Sequence, residues 1–199
     1  MLGLPRRQFA RPRGLRGLLA GELMAWSNRA VNRWTLDQLG VGRRDRVLEL
    51  GSGAGVGLGL AARRARRGLV AGLDLSPAMV RRASWRNRRT ARAGRLQLRP
   101  GSATALPWPD GAFTRAFSVN TSNEWPDRRG VLAELHRVLA PGGRLAITTQ
   151  QRSARSDEQA EAVAARAAGE LAEAGFAGVR LVRARLAGHP TFCLLAERP

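Results

Sequence analysis

The chain of 199 residues has no lysine, no tyrosine, one isoleucine (Ile147) and one cysteine (Cys193). A single cysteine excludes an intrachain disulfide framework and a four-cysteine zinc site. Without lysine there is no phosphate loop of the Gly-Lys-Ser/Thr type, whose lysine reaches the outer phosphates. No uninterrupted apolar run approaches the roughly 20 residues of a membrane-spanning helix, so no span is expected. Hydrophobic residues make up 44% of the chain, which suits a globular rather than a disordered or fibrous protein. The length is right for one domain with a full core.

The missing lysine also bears on the net charge of +19, since all 34 basic residues are arginine. Arginine, alanine and glycine can be written in GC-rich codons, whereas lysine, tyrosine and isoleucine need AT-rich ones. Base composition therefore accounts for much of the excess without a polyanionic partner. The arginines are spread over nearly every element, as in Arg63, Arg64, Arg66 and Arg67, Arg81 and Arg82, or Arg128 and Arg129. That scatter favours solvated helix faces over a nucleic-acid groove. Near the start, Arg6-Arg7-Gln8-Phe9 is like the core of a twin-arginine export signal. Arg11, Arg13, Arg16 and Glu22 break the apolar stretch such a signal needs, so a cytoplasmic protein is expected.

From about residue 46 onward, strand and helix signals alternate at βαβ spacing. Strands are predicted at 46–50, 69–74, 96–98, 113–119 and 144–149, with helices over about 54–67, from Pro77, and over 127–139 and 157–174. Ser76 is a plausible N-cap before Pro77. Pro141-Gly142-Gly143 reads as a helix stop, and Gly175 as a C-cap. Two final strands face each other across Gly188-His189-Pro190. The expectation is a doubly wound, mostly parallel α/β sheet of seven strands with a C-terminal antiparallel hairpin. Residues 1–40 are expected to form an N-terminal arm and helical lid, and 41–199 the main domain. The lid would be residues 15–38, whose apolar positions (Leu23, Trp26, Val31, Trp34 among them) recur at helical spacing.

The most informative stretch is Glu49-Leu50-Gly51-Ser52-Gly53-Ala54-Gly55, at the first strand-to-helix turn. Open α/β sheets bind ligands beyond the carboxyl ends of their strands at such a crossover. A dinucleotide fingerprint requires G-x-G-x-x-G. Val56, Leu58 and Leu60 occupy the third glycine site in the three possible registers, so none fits. An acid two residues before the first glycine sits badly beside a pyrophosphate and suits a ligand with an ammonium group next to its carboxylate.

This acid-x-Gly-x-Gly-x-Gly pattern resembles motif I of the class I S-adenosylmethionine (SAM)-dependent methyltransferases. Three more ordered segments resemble the same family. Asp74 closes the second strand 23 residues after Gly51. Gly101-Ser102-Ala103 precedes Leu106-Pro107-Trp108-Pro109-Asp110. Glu134-Leu135-His136-Arg137-Val138-Leu139-Ala140-Pro141-Gly142-Gly143 is similar to the helix-to-strand turn of the small type-11 branch, which includes quinone-biosynthesis C-methyltransferases. The resemblance covers roughly residues 45–150.

It implies that Glu49, Gly51, Ser52, Gly53 and Gly55 hold the methionine end of SAM and that Asp74 takes the ribose hydroxyls. Leu75 and Met79 would lie near the adenine face, Ser102 and Ala103 at its edge, and Asn120 beside the sulfonium. Serine stands at position 102 where the family commonly has aspartate, which shifts adenine recognition toward backbone groups. Residues 120–125 would wall the acceptor, with Trp26, Glu124 and Trp125 the substrate-side candidates. No catalytic base is identified and no metal is expected. His136, His189 and Cys193 read as structural.

A sulfonium activates its own methyl group, so the protein must mainly align the acceptor and exclude water. The acceptor chemistry therefore leaves little trace in the sequence. Asn120-Thr121-Ser122-Asn123 lacks the prolines used for base amino methylation, and Cys193 stands alone in a late strand, which sets aside cytosine C5 and arsenite methylation. A small-molecule acceptor and a monomer or homodimer are expected. A SAM-fold protein that transfers no methyl, regulatory or cyclase-like, and an RNA methyltransferase remain as alternatives.

Overall fold

The computed structural model of the chain describes residues 28–151 and 157–199. The short apolar runs become strands and the amphipathic stretches between them helices. In order they are α1 (Arg29–Leu39), β1 (Arg46–Leu50), α2 (Val56–Arg64), β2 (Leu69–Asp74), α3 (Pro77–Arg86), α4 (Arg88–Arg92) and β3 (Leu96–Pro100). There follow β4 (Phe113–Val119), a 3-10 turn (Ser122–Glu124), α5 (Arg128–Val138), β5 (Leu139–Gln150), α6 (Asp157–Glu173), β6 (Ala177–Leu186) and β7 (His189–Glu197).

One sheet holds all seven strands in the order β3-β2-β1-β4-β5-β7-β6. Strands β1 to β5 run parallel, and β7 lies antiparallel between β5 and β6. The chain winds outward from β1 to β3 and then returns to β4 on the other side of β1. Strand order therefore reverses between β1 and β4, and the crevice beyond their carboxyl ends is where such sheets bind ligands. Both faces of β1 are covered. Leu48 and Leu50 pack with Leu132, Leu135 and Leu171 from α5 and α6, and Val47 with Leu36, Leu39 and Leu58 from α1 and α2. Burial of each such leucine stabilises the fold by about 1.5–3 kcal/mol.

Helix α1 departs from the lid expected over residues 15–38. From residue 29 it lies flat on the sheet, where Val31, Leu36 and Leu39 are buried against the β4–β5 region and α2. The Thr35 hydroxyl, hydrogen-bonded to that of Thr148 on β5 at 2.7 Å, fixes its seat. The crossover helices leave this flank open because β4 to β5 crosses on the opposite face through α5, so α1 fills the space. Gly40 ends the helix at φ +66° with its N–H on the Leu36 carbonyl. Trp26 and the rest of the expected lid up to residue 27 lie outside the described residues.

Two turns differ from expectation in detail. The hairpin turn is Ala187-Gly188, at φ +48° and +79°, while Leu186 and His189 already pair. Both central residues are left-handed, the twist that joins antiparallel strands tightly. Helix α5 stops at Val138, and β5 begins at Leu139 opposite Phe113 before the register slips and resumes at Arg115↔Arg144. Pro141-Gly142-Gly143 forms that irregularity, and its backbone exchanges two hydrogen bonds of 2.8 Å with Arg198. Among the described residues no helix is long and apolar enough to cross a membrane.

Candidate functional site

The glycine loop sits at the reversal crevice and is held from below by the neighbouring strand. The N–H groups of Gly51 and Ser52 both donate to the Leu73 carbonyl, at 2.9 and 3.1 Å. Gly53 has φ +49°, a backbone conformation that L side chains avoid, and a Cβ there would meet nothing within 4 Å. The loop thus turns open, side-chain-free space toward the crevice. Ser52 is buried and its hydroxyl has no partner among the described residues.

Asp74, at the end of β2, closes over this loop. One carboxylate oxygen accepts the Gly53 N–H at 2.8 Å and the other the Ser76 N–H at 2.9 Å. Burial raises its pKa, and these two bonds pull it back in part. An ionised carboxylate has about four acceptor positions, so capacity for two hydroxyl donors remains. Glu49, the acid that opens the motif, is 3% exposed and lies between β1 and α2. Its pKa is pushed well above the usual carboxylate range, chiefly by burial and further by the charge of Asp74, against a hydrogen bond from the Leu58 N–H. Its second oxygen, Oε2, has no partner among the described residues. Glu124, exposed on its outer side, is raised by partial burial and by Asp74. Glu49 and Glu124 both sense the charge of Asp74, and each of the three carboxylates is held in a setting that disfavours its charge. A cationic ligand relieves that strain in the field.

The other expected residues fall in three groups. Leu75, 54% exposed, sits next to Asp74 as bare apolar surface, whereas Met79 on α3 is buried. Ser102 and Ala103 follow β3 beside them. The Ser102 hydroxyl is hydrogen-bonded to Thr104 Oγ1 at 2.8 Å, and Ala103 packs on the core. Asn120 is left-handed at φ +59°. Its amide is engaged at both ends, donating to Asn28 Oδ1 at 3.1 Å and accepting the Gln150 N–H at 2.7 Å. The Asn120 side chain thus ties the start of α1 to the end of β5. Trp125 rests on the core with the Arg128 guanidinium 5.8 Å from its ring centroid.

Cys193 is fully buried and its thiol is pushed up to about 11 by burial. His136 packs edge-on against Phe176 at 5.2 Å. Both belong to the packing of the sheet and its helices rather than to the crevice.

Several residues that shape the site carry no motif of their own. Asn87, after α3, donates to the carbonyls of Gly55 and Ala83, both at 2.9 Å, and Arg86 donates to Ala54 at 2.8 Å. Both lock the glycine loop from 32 residues away. Gly57, inside α2, admits the Glu49 carboxyl; a Cβ there would collide with Glu49 Oε1 and stand 2.6 Å from Asn32 Oδ1. Thr121 fills the space beside Gly51 and bonds Ser118 at 2.6 Å. Glu134 and Arg137 are legible in the sequence only as a family signature, and their job is mechanical. Glu134 accepts the Leu106 N–H at 2.6 Å, while Arg137 donates to the carbonyls of Leu106 and Trp108 and to Asp110. Together they pin the loop after β3. Hydrogen bonding to Arg137 is the main reason Glu134 titrates below the usual range.

Beside the crevice, α6, β5 and β7 border a half-open cavity of about 280 Å³. Ile147, Val163, Ala164, Phe192 and Leu194 give it an apolar lining, with Ser122 and Thr149 at its polar side. An Arg128–Glu170 ion pair of 2.6 Å also borders it.

The donor set fits SAM on its own terms. Acids would suit its two positive centres, the open face at Gly53 would leave space for its amino-acid end, Asp74 keeps acceptor capacity for hydroxyl donors, and Leu75 is exposed apolar surface that a ring could cover. Comparison with known proteins agrees. The methyltransferase-domain family matches residues 48–147. The methyltransferase YdaC of Bacillus subtilis is 31% identical over 183 residues, 92% of this chain and 99% of that protein. A demethylmenaquinone methyltransferase of Thermus thermophilus is 37% identical over 102 residues, 51% of this chain and 46% of that one. The solved structure of a SAM-dependent methyltransferase from Aquifex aeolicus has the same fold, with a TM-score of 0.72 at 22% identity over 90% of this chain and 97% of that one. The chain belongs to the class I SAM-dependent methyltransferases of the type-11 branch, and SAM is its methyl donor.

Proposed function

We propose that the enzyme methylates a small, largely apolar molecule seated in the cavity between α6 and the loop after β4. The observation that carries this reading is the cavity itself, about 280 Å³ and lined by Ile147, Phe192 and Leu194. That volume is near the lower end of small-ligand pockets. The likeness of half the chain to a demethylmenaquinone methyltransferase supports an acceptor with an aromatic or quinol-like ring. The reading includes a cytoplasmic protein acting as a monomer or homodimer.

In this reading Glu49, Gly51, Ser52, Gly53 and Gly55 hold the methionine end, and Asp74 takes the ribose hydroxyls. Leu75 and Met79 lie toward the adenine face, with Ser102 and Ala103 at its edge and Asn120 nearest the sulfonium. When bound, SAM supplies a methyl group already activated by its sulfonium. The chain's own task is then to align the acceptor and keep water out. Ser122 and Thr149 orient a polar atom of the acceptor at the cavity mouth. Glu124, whose pKa is raised, is the nearest candidate to accept a proton where the acceptor must lose one. Trp125 and Trp26 complete the acceptor side. Asn28, at the start of α1, is hydrogen-bonded to Asn120 on this side of the site.

The test is release of S-adenosylhomocysteine (SAH) from SAM with a panel of acceptors. Turnover with apolar phenols or quinols, lost when Phe192→Arg blocks the cavity while SAH still binds, supports the reading. Turnover with RNA alone, unaffected by that change, overturns it.

A further inference from the structure

A second concave feature lies on the outer side of the molecule, away from the acceptor cavity. Between α2 and the α3–α4 corner there is a hollow of about 490 Å³ lined by Arg63, Arg66, Arg86, Arg88, Arg89 and Arg95. Among the described residues its remaining lining is Gly59, Ala62, Asn87 and Thr90, with no carboxylate. Six arginines drawn from three separate stretches of sequence thus line one space, with Arg86 turned to the Ala54 carbonyl and Arg88 to Trp85. Scatter along the chain concealed this; the packing of α2 against the α3–α4 corner assembles it.

Five of these charges are poorly compensated among the described residues. Among the described residues Arg63, Arg66, Arg88, Arg89 and Arg95 form no ion pair, although Asp and Glu elsewhere pair with Arg64, Arg115, Arg128, Arg137, Arg166 and Arg183. Like charges crowded this way repel one another and destabilise the compact state. The wall that carries them is nevertheless rigid. Asn87 is 7% exposed and its amide is fixed on the Gly55 and Ala83 carbonyls. Arg95 is anchored on the Ala65 carbonyl at 3.0 Å, and Arg88 on that of Trp85 at 3.4 Å. Gly59 and Ala62 add small residues to its lining, which leaves room between the arginines.

We infer that this hollow is a binding site for a compact oligophosphate anion, one carrying two or more phosphates on a small molecule. Guanidinium forks match phosphate oxygens in pairs, and their multiple planar donors suit a ligand with many acceptor atoms. The hollow's volume falls within the range of small-molecule sites. Its concavity favours a compact anion over a flat bilayer surface. The exposed ring of Trp85 has the guanidinium groups of Arg82 and Arg88 within 4.8 and 5.1 Å of its centroid. Those cations compete with a stacking base for the ring, which favours a compact anion over a single strand as well.

The experiment titrates the full chain with inorganic triphosphate by calorimetry at constant ionic strength of about 0.1 M, where screening extends over roughly 10 Å. Two variants remove the same charge: Arg63→Gln/Arg66→Gln/Arg89→Gln in the hollow, and Arg44→Gln/Arg99→Gln/Arg180→Gln outside it. Saturable binding of triphosphate near one per chain, weakened more than tenfold by the first variant and less than threefold by the second, is the expected result. Equal weakening in both, or no saturable binding, overturns the site in favour of general attraction to a basic surface. Binding of a single-stranded RNA oligonucleotide that triphosphate fails to displace overturns it too. SAH binding to both variants, measured alongside, verifies that each is folded.

Discussion

Replacing Glu49 by Gln should stabilise the free protein while weakening its hold on SAM, two effects of opposite sign from one isosteric change. The Glu49 carboxyl is buried, and among the described residues one of its oxygens and the nearby Asn32 Oδ1 are acceptors without a partner. The Asn32 amide cannot simply turn around, because its Nδ2 donates to the Asn28 carbonyl at 2.9 Å. A neutral amide removes the buried charge and brings a donor to this group of acceptors. Leaving one such group unsatisfied costs about 1–3 kcal/mol, and at this chain length each kcal/mol moves Tm by about 2–4 °C. Glu49→Gln should therefore raise Tm by roughly 2–12 °C at neutral pH.

The pH dependence makes the cause identifiable. A carboxyl whose pKa is raised in the folded state binds its proton more tightly there than in the unfolded chain. Its contribution is fully present below the unfolded value of 4.5 and is lost as pH rises toward the raised folded value. Asp74 adds a slope of the same sign. The Tm advantage of Glu49→Gln should accordingly be small near pH 4.5 and grow as pH rises above it, as followed by thermal melts. Loss of a negative charge beside a cationic ligand should weaken SAM at least about tenfold, or 1.4 kcal/mol. A variant less stable than the parent at all pH values, with unchanged SAM affinity, would refute this account of the acid.

Asp74→Asn should weaken SAM by about 1.5–3 kcal/mol through lost charged hydrogen bonds, read by calorimetry; unaltered affinity would mean that the ribose lies elsewhere. Gly57→Ala should destabilise the fold by about 1–3 kcal/mol through overpacking against Glu49 and Asn32, seen as a lower Tm. Gly53→Ala meets no neighbour, so its main effect should be on SAM binding, with a smaller loss of stability from backbone strain. Arg137→Met should free the loop after β3 and lower stability by about 1–3 kcal/mol, because the partly buried carbonyls of Leu106 and Trp108 lose their donor, seen as a lower Tm. Cys193 should resist iodoacetamide in the folded protein near pH 8, since its thiol is pushed up to about 11, and react once denaturant is added.

The doubly wound sheet and the cofactor loop are legible in the amino-acid sequence by itself because both rest on local signals. Strand period, the glycine spacing from Gly51 to Gly55, and the cap at Ser76-Pro77 each act within a few residues. The ends of β1, β2 and β4 then place Glu49, Asp74 and Asn120 at one rim, since parallel strands expose their carboxyl ends together.

What the tertiary structure alone decided is where side chains from distant segments meet. Helix α1 reads as an amphipathic segment either way, but only the empty flank over β4 and β5 makes it a layer of the sheet. Asn87 and Gly57 have no periodic or motif signature, yet one locks the glycine loop and the other makes room for Glu49. Six of the arginines that look evenly dispersed in the sequence line one hollow once α2 and the α3–α4 corner pack together. Local chemistry sets which elements form. Contacts across 30 or more residues, as from Asn87 to Gly55, depend on chain crossings that short-range patterns do not encode.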